Sequence, residues 1–190
     1  MEEEGFILHE GKKYARVSKI IQHLSDFSRI DPEVLKRKQE IGTELHDGVF
    51  DFLNDEMPIM AERALKYFES FTKWFKAINP KVLETEKRYF NQEKMITCRM
   101  DGIFLIPFEN LPVIVDYKTA LMESPTWIYQ AHLYHYIITS QGVQLGDRVL
   151  YLKLDSKGGI PKTITYQIEK PFLSHCISLV DQFWTNKKLD

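Results

Sequence analysis

The sequence predicts an α/β fold: a central mixed β-sheet flanked by α-helices, with an N-terminal helical segment. Apolar residues recur at helical spacing through most of residues 1–80 and at strand-like spacing after that. The run Val113-Ile114-Val115 is typical of a central strand covered on both faces. With 190 residues, we expect one domain, residues 1–190. Residues 1–80 should be mainly helical, and residues 81–190 should hold the sheet and the catalytic core.

The N-terminal segment is expected to contain three helices. A short one covers 17–24. A second begins at Asp31-Pro32-Glu33, where a capping aspartate, a proline at the first helical position and an acid in the first turn follow one another. This helix should run toward Leu53, and Gly42 within it indicates a packing or functional reason for a small residue. The third helix covers 61–78 and ends before Pro80.

The remaining elements follow in the order three strands, helix, two strands, helix. This alternation predicts helices on both faces of the sheet. The expected strands cover 82–90, 95–106, 111–118, 149–154 and 163–168, and the expected helices cover 125–139 and 171–187.

Composition excludes several classes of protein. No apolar run approaches the ~18 residues that a membrane helix needs, so no membrane partner is expected. The start MEEEGF is acidic and lacks the basic and apolar regions of a secretory signal. Two cysteines, Cys98 and Cys176, cannot supply the four thiolates of an iron–sulfur cluster. Free thiols and the lack of a signal favour a cytoplasmic location.

The formal net charge of -2 does not by itself indicate a nucleic-acid-binding protein, but local patches matter more than the sum. Basic residues gather early in the chain. Two interpretations stay open for them: a solvated helix face, or a ridge that contacts phosphates. These residues are Lys12, Lys13, Arg16, Lys19, Arg29, Lys36, Arg37 and Lys38.

A group of charged residues is predicted where two strands meet. If the strands form a hairpin in which Ile106 faces Leu111, counting outward places Asp101 opposite Asp116. Cross-strand neighbours on one face have Cβ atoms about 5 Å apart. Lys118 shares the face of Asp116 because the two are two residues apart. The turn decides this register, since a slip of one residue would move Asp101 to the other face.

Two carboxylates this close repel each other unless a cation lies between them. Lys118 partly compensates their negative charge. A divalent cation would compensate it better, and carboxylate oxygens are ligands that suit Mg²⁺ or Mn²⁺. A lysine beside such an ion can orient water or stabilise charge on a phosphate, which is the chemistry of phosphodiester hydrolysis. The alternative is a structural salt bridge at the edge of the sheet.

Asp101 followed by Asp116-Tyr117-Lys118-Thr119 resembles the PD-(D/E)xK nuclease superfamily. The branch that it is most similar to is that of the RecB-like exonucleases, which includes phage exonucleases and the mitochondrial genome-maintenance exonuclease. The resemblance spans about 18–138. It implies a restriction-endonuclease-like core.

Three further elements resemble that branch in the same order. Gly42-Thr43-Glu44-Leu45-His46 is similar to its G-T-x-x-H element, whose histidine is a metal ligand. Glu86 stands where the family has a glutamate on the first core strand. Gln130 and Tyr134 resemble its Q-x-x-x-Y motif, and their spacing places them on one helical face. Outside this resemblance, a lone histidine such as His46 is more often structural, and Gln130 and Tyr134 fit an ordinary core helix with polar tips.

The sequence departs from the family pattern in two places. Cys98 stands where the family often has a glycine, and Asp116 stands where many members have glutamate, although aspartate also binds metal. The iron–sulfur subfamilies are excluded by the cysteine count. His132 and His135 have helical spacing, but without an evident third ligand we interpret them as ordinary helix residues.

The resemblance implies a metal-dependent DNA exonuclease that acts on DNA ends or single strands. His46, Asp101, Asp116 and the backbone carbonyl of Tyr117 would hold one or two Mg²⁺ or Mn²⁺ ions. Asp101, Asp116 and Lys118 would form the catalytic set, and Glu86, Gln130 and Tyr134 would support it or contact DNA. Two alternatives remain: an endonuclease on the same fold, and a catalytically silent nuclease fold that binds DNA or a protein. Recombination, repair and phage-like replication fit equally well. The sequence gives no oligomeric state and no cleavage direction.

Overall fold

The structure, a computed structural model, describes residues 4–25 and 31–187. Arg29 of the early basic group and the first residues of the acidic start therefore lie outside the described residues. The helices are α1 (Val17–Ile21, continued by a 3-10 turn, Gln22–Leu24), α2 (Pro32–Leu53), α3 (Glu62–Ile78), α4 (Thr126–Thr139) and α5 (Lys170–Lys187). The strands are β1 (Phe6–His9), β2 (Lys12–Arg16), β3 (Lys81–Thr85), β4 (Arg88–Asn91), β5 (Ile96–Arg99), β6 (Gly102–Leu105), β7 (Val113–Lys118), β8 (Arg148–Lys153) and β9 (Lys162–Gln167).

The predicted α/β class with a mixed sheet flanked by helices is confirmed, but the strands form two mixed sheets. The five-stranded sheet has the order β3-β6-β7-β8-β9, and the four-stranded sheet, called here the small sheet, has the order β1-β2-β5-β4. β7 pairs with β8 in parallel and with β6 in antiparallel orientation. In the small sheet, β2 pairs with β5 in parallel orientation.

The five-stranded sheet is the central layer of the molecule. One face packs on α2 and α3 through residues such as Val115, Phe71 and Leu45. The other face packs on α4, α5 and the small sheet through residues such as Ile114 and Leu133. β7 is therefore buried on both sides, as its apolar run predicts, and none of the described helices is long and apolar enough to cross a membrane.

The helix boundaries agree with the sequence signals. Asp31 caps α2, and its side chain accepts a hydrogen bond of 2.8 Å from the backbone N–H of Glu33. α3 ends at Asn79, which adopts the left-handed conformation that commonly terminates helices (φ 51°).

Two of the predicted strands were wrong in extent, because each of them bends and enters both sheets. The segment 82–90 divides into β3 and β4, and the segment 95–106 divides into β5 and β6. The two segments still pair with each other through the bend, where the N–H of Glu86 donates to Asp101 and the N–H of Met100 donates to Lys87. Glu86 has a φ of 49°, so the chain leaves the extended conformation there. Hydrophobic alternation continues through such a bend and does not reveal it.

The sequence prediction also missed the hairpin of β1 and β2. Its turn residues Glu10 and Gly11 have φ values of 50° and 72°, as two-residue hairpin turns require. Asn-Gly and Asp-Gly are the usual signals for such a turn, and Glu-Gly is a weaker one. The hairpin places Lys12, Lys13 and Arg16 on a strand, so the early basic residues do not form a single helix face.

Both cysteine thiols are expected to be unreactive in the folded protein. Cys98 and Cys176 are free and buried. Burial raises the pKa of Cys176 to about 12 and holds the pKa of Cys98 well above its usual range, so neither forms the reactive thiolate at neutral pH. Titration with a thiol-reactive disulfide reagent should label neither thiol in native protein and both in denaturant. Rapid labelling of the native protein would contradict the buried placement.

Candidate active site

Three carboxylates lie in one row across three adjacent strands. The observed register, with Gly102 opposite Val115, is the one that the turn count predicts, and one step further it places Asp101 opposite Asp116. On the other side of Asp101, the register of Thr85 opposite Gly102 places Glu86 opposite Asp101. Neighbouring Cβ atoms in such a row are about 5 Å apart. The bend between the two sheets therefore brings Glu86 beside the aspartate pair.

His46 reaches this row from α2. Its Nδ1 lies 3.0 Å from Oε1 of Glu86 and 3.3 Å from Oδ1 of Asp101. The helix is oriented by a buried stripe of apolar residues, including Leu45 and Val49, that packs on the sheet. Burial by itself lowers the pKa of His46, but the Asp101 and Glu86 carboxylates outweigh it and raise the pKa to about 9. The imidazolium form of His46 is therefore favoured by the adjacent carboxylates of Asp101 and Glu86.

Asp101 occupies the centre of the row. Its side chain is 10% exposed, and its Oδ2 accepts a hydrogen bond of 2.7 Å from the backbone N–H of Tyr117. Burial, followed by repulsion from Asp116, raises the pKa of Asp101 to about 7, although His46 and Lys118 act in the opposite direction. Burial and the neighbouring Asp116 therefore disfavour a charged Asp101, and a bound divalent cation would favour the charged carboxylate.

Asp116, Lys118 and Gln130 form a closed set of contacts. Nζ of Lys118 lies 2.6 Å from Oδ1 of Asp116 and donates to Oε1 of Gln130 over 3.2 Å. The amide nitrogen of Gln130 donates to Oδ2 of Asp116 over 3.3 Å. Asp116 is 2% exposed, whereas the Lys118 side chain is 21% exposed. Gln130 therefore contacts both Lys118 and Asp116 and fixes their relative positions. Of the two charged side chains, that of Lys118 is the more exposed to solvent.

Tyr134 and Tyr117 occupy different positions relative to the row. Tyr134 follows Gln130 by one turn of α4 and is buried, and burial, with Cys98 and Asp116 nearby, holds its phenol pKa well above the usual range. It is therefore a neutral hydrogen-bond donor at physiological pH. The Tyr117 ring points to the opposite face and packs on Phe71, with ring centroids 4.9 Å apart. The role of the Tyr117 carbonyl as a metal ligand stays a prediction.

Among the described residues, His46, Glu86 and Asp101 can hold a metal ion, because one donor atom from each lies within 4.8 Å of the others. The resemblance implies a supporting role for Glu86, but Glu86 lies as close to His46 as Asp101 does. Two carboxylates and an imidazole suit Mn²⁺, and the oxygens suit Mg²⁺. Asp116 is the next acid in the row.

Two residues at the site were not selected from the sequence. Nε of Arg99 lies 2.8 Å from Oε2 of Glu86, and the Tyr151 ring lies under Nζ of Lys118 at 5.3 Å. Arg99 is two residues before Asp101 on a predicted strand, so alternation could have placed it near the acids. Tyr151 depends on the pairing of β7 with β8, for which the sequence has no local signal.

The two histidines of α4 make structural contacts, as predicted from the sequence. Nδ1 of His132 lies 2.8 Å from the carbonyl of Ile128, and its Nε2 accepts from the N–H of Glu169. Nε2 of His135 lies 3.1 Å from the carbonyl of Gly146. Both rings are therefore occupied in joining α4 to neighbouring backbone.

The sequence matches no protein-family profile and no curated protein. The structure is similar to an alkaline exonuclease, LHK-Exo, from Laribacter hongkongensis, with a TM-score of 0.53 and 9% identity over 93% of this chain and 88% of that chain. LHK-Exo in complex with dAMP aligns with a TM-score of 0.43 and 10% identity over 92% and 87% of the two chains. The protein SSO0001 aligns with a TM-score of 0.43 and 10% identity over 96% and 78%.

At 9% identity the first similarity shows the fold alone, and the other two TM-scores are too low to add to it. This chain therefore has a nuclease fold. The assignment to the RecB-like branch within that fold stays a prediction from the sequence motifs.

Proposed function

We propose that this protein is a metal-dependent DNA exonuclease that hydrolyses phosphodiester bonds at DNA ends or in single strands. The observation that carries the proposal is the placement of Lys118, 2.6 Å from the buried Asp116, beside the row of acids that His46 approaches. A lysine held between a carboxylate and solvent, next to a cluster of acids, suits attack on a phosphate. The nuclease fold supports this interpretation.

In this proposal His46, Glu86, Asp101 and Asp116 hold the metal, with the Tyr117 carbonyl as a further ligand. His46 lies between two carboxylates, at a position where positive charge is favoured, and a metal bound there would displace the imidazole proton, since only the neutral ring is a ligand. When bound, Mg²⁺ or Mn²⁺ would lower the pKa of water and neutralise charge on the phosphate.

Lys118 orients the attacking water or stabilises the charge that grows on the phosphate oxygens. Gln130 keeps the ammonium group in place through its Oε1, and Asp116 keeps it close to the acids. Tyr134, buried and neutral one turn from Gln130, supports the position of the Gln130 side chain.

The test uses end-labelled single-stranded and double-stranded linear DNA, incubated with the protein in Mg²⁺, Mn²⁺ or EDTA. We expect metal-dependent loss of DNA by the wild type and none by Asp116→Ala. Asp47→Ala, at an exposed residue next to His46, is the matched control and should retain activity. The ladder of products gives the direction of cleavage. If DNA binds but is not degraded with any metal, the protein is a silent binding module and the proposal is wrong.

Circular single-stranded DNA separates the exonuclease from the endonuclease. A circle has no ends, so we expect it to survive under conditions that degrade the linear strand. Rapid cleavage of the circle by the wild type, absent in Asp116→Ala, would assign the site to an endonuclease.

A further inference from the structure

Three arginines share one face of the small sheet. Arg88 on β4 is directly opposite Arg99 on β5. Arg16 on β2 is opposite Thr97, which lies two residues from Arg99 and therefore on the same face. Alternation along the strands thus directs all three side chains to one side, and the other face of the sheet packs on α1, α4 and α5.

This face is curved. His9 on β1 and Phe90 on β4 belong to strands at opposite edges of the small sheet, yet their rings stack with centroids 4.0 Å apart. Tyr14 lies beneath them and is fully buried. The edges of the sheet therefore curl toward each other near His9 and Phe90. Arg16 lies in the same cross-strand row as Phe90, since both are opposite Thr97, and Arg88 and Arg99 form the next row on that face, toward Glu86.

Arg88 and Arg16 have no carboxylate partner within 4–25 and 31–187, and no hydrogen bond from either guanidinium is found within these ranges. Arg88 is also partly buried. The guanidinium groups of Arg16 and Arg99 lie on the same face and repel it. Like charges gathered without a counterion are unfavourable, and a partly buried guanidinium requires acceptors for its donors. An anion would supply both the charge and the acceptors.

The arginines adjoin the candidate active site. Arg99 connects the two features, since its Nε lies 2.8 Å from Oε2 of Glu86. Arg88 follows Glu86 by two residues, so the two Cα atoms are at most about 7 Å apart. A nucleic-acid strand whose scissile phosphate lies at the acids would therefore carry a neighbouring phosphate to this end of the small sheet.

We propose that Arg88, together with Arg16 and Arg99, binds a backbone phosphate of the DNA strand whose neighbouring bond is hydrolysed at the row of acids. The proposal rests on the proposed function for the identity of the strand. A guanidinium can bind phosphate through two parallel hydrogen bonds, and it keeps its charge at all physiological pH values. The three arginines form a local positive patch on the small sheet along which the DNA strand can lie, although the net charge of the whole chain is -2.

The first test compares Arg88→Gln with the wild type in EDTA, using a fluorescent single-stranded oligonucleotide and anisotropy at several salt concentrations. Each phosphate contact on a single strand contributes about -0.7 to the slope of log K against log salt. We expect Arg88→Gln to weaken binding by roughly tenfold and to reduce the slope by about 0.7. Arg88→Lys keeps the charge but not the paired donors, so it should bind with intermediate affinity.

The matched control is Lys170→Gln, which removes one positive charge at the exposed start of α5. It should change the affinity by less than about twofold, since surface charge alone contributes little. All variants are first shown to have wild-type thermal transitions. If Arg88→Gln and Lys170→Gln have the same affinity and the same salt slope, the arginine site is wrong.

The second test finds the phosphate. A series of oligonucleotides carries one uncharged methylphosphonate linkage each, at successive positions. For the wild type we expect one position near the cleaved end to weaken binding, and for Arg88→Gln we expect the loss at that position to vanish. Equal losses at every position in both proteins would overturn the assignment.

Cleavage in Mg²⁺ separates this site from the proposed function. Arg88→Gln should raise KM by about the same factor as Kd and change kcat by less than about threefold, since it removes binding that substrate and transition state share. If the wild type cleaves DNA and Arg88→Gln has an unchanged KM, the arginine site fails and the nuclease stands. If the wild type does not cleave but Arg88→Gln loses DNA affinity, the nuclease fails and the arginine site stands.

Discussion

Lys118→Met is expected to lower kcat for metal-dependent DNA cleavage by about 10²- to 10⁴-fold, the range for loss of a positioned acid–base or charge-stabilising group. Methionine keeps much of the length and volume of the lysine stem, so it can still lie against the Tyr151 ring. The ammonium group, 2.6 Å from Asp116 and 3.2 Å from Gln130, is what disappears. The measurement is single-turnover cleavage of end-labelled DNA at saturating protein.

Lys153→Met is the matched control, because Lys153 lies directly opposite Lys118 on the neighbouring strand β8. It removes the same charge from the same face of the sheet, about 5 Å away. If catalysis depends on the position of Lys118, kcat of this variant stays within about threefold of the wild type. Full activity of Lys118→Met, with normal folding, would remove Lys118 from the mechanism.

Lys118→Met also removes the charged partner of a buried carboxylate, so a loss of stability is expected beside the loss of rate. Asp116 keeps its hydrogen bond from Gln130 and loses the ion pair. Leaving a buried acceptor without its partner lowers the free energy of unfolding by about 1–3 kcal/mol. Thermal unfolding measures this loss independently, and cleavage is compared at a temperature where all variants are folded.

Divalent cations are expected to raise the melting temperature of the wild type. At a metal concentration of about 100 times the Kd, binding to the folded state adds about 2.7 kcal/mol to the free energy of unfolding. For a chain of this size, that corresponds to a shift of roughly 5–10 °C. The physical reason is the row of Glu86, Asp101 and Asp116, whose mutual repulsion a bound cation relieves.

Asp101→Asn tests this shift with little change in shape. Its side chain can still accept the hydrogen bond from the N–H of Tyr117, but it loses the charge at the centre of the row. The quantity to compare is the difference between melting temperatures in Mg²⁺ or Mn²⁺ and in EDTA, because it does not depend on the variant's own stability. We expect Asp101→Asn to lose most of this difference and Asp47→Asn, exposed beside His46, to keep it. Equal differences in all three proteins would place metal binding elsewhere.

The hairpin register was predictable from the sequence because a turn fixes it locally. Asp101 and Tyr117 are separated by only 16 residues, and the turn between their strands determines which residues face each other. Counting through the turn predicted Asp101 opposite Asp116, and the observed pairing of Gly102 with Val115 has this register. The same local logic placed Lys118 on the face of Asp116.

The position of Glu86 was not predictable in the same way. Its strand was expected to continue straight, and a straight strand would have kept all of its residues in one sheet. The positive φ of Glu86 and its backbone hydrogen bond to Asp101 bend both strands there, which turns a supporting residue into a close neighbour of His46. The bend lets each segment pair in both sheets, and the sequence of either segment alone does not indicate it.

The sequence by itself determined the α/β class, the helix that begins at the capped Asp31, and the facing pair of Asp101 and Asp116, because each depends on periodicity, capping or a turn within a short segment. Only the tertiary structure decided the division into two sheets, the approach of His46 to Glu86 across 40 residues, and the gathering of Arg16 with Arg88 on one face. These contacts join distant regions of the chain, and burial of whole helix and sheet faces, a non-directional force that no local pattern encodes, brings them together.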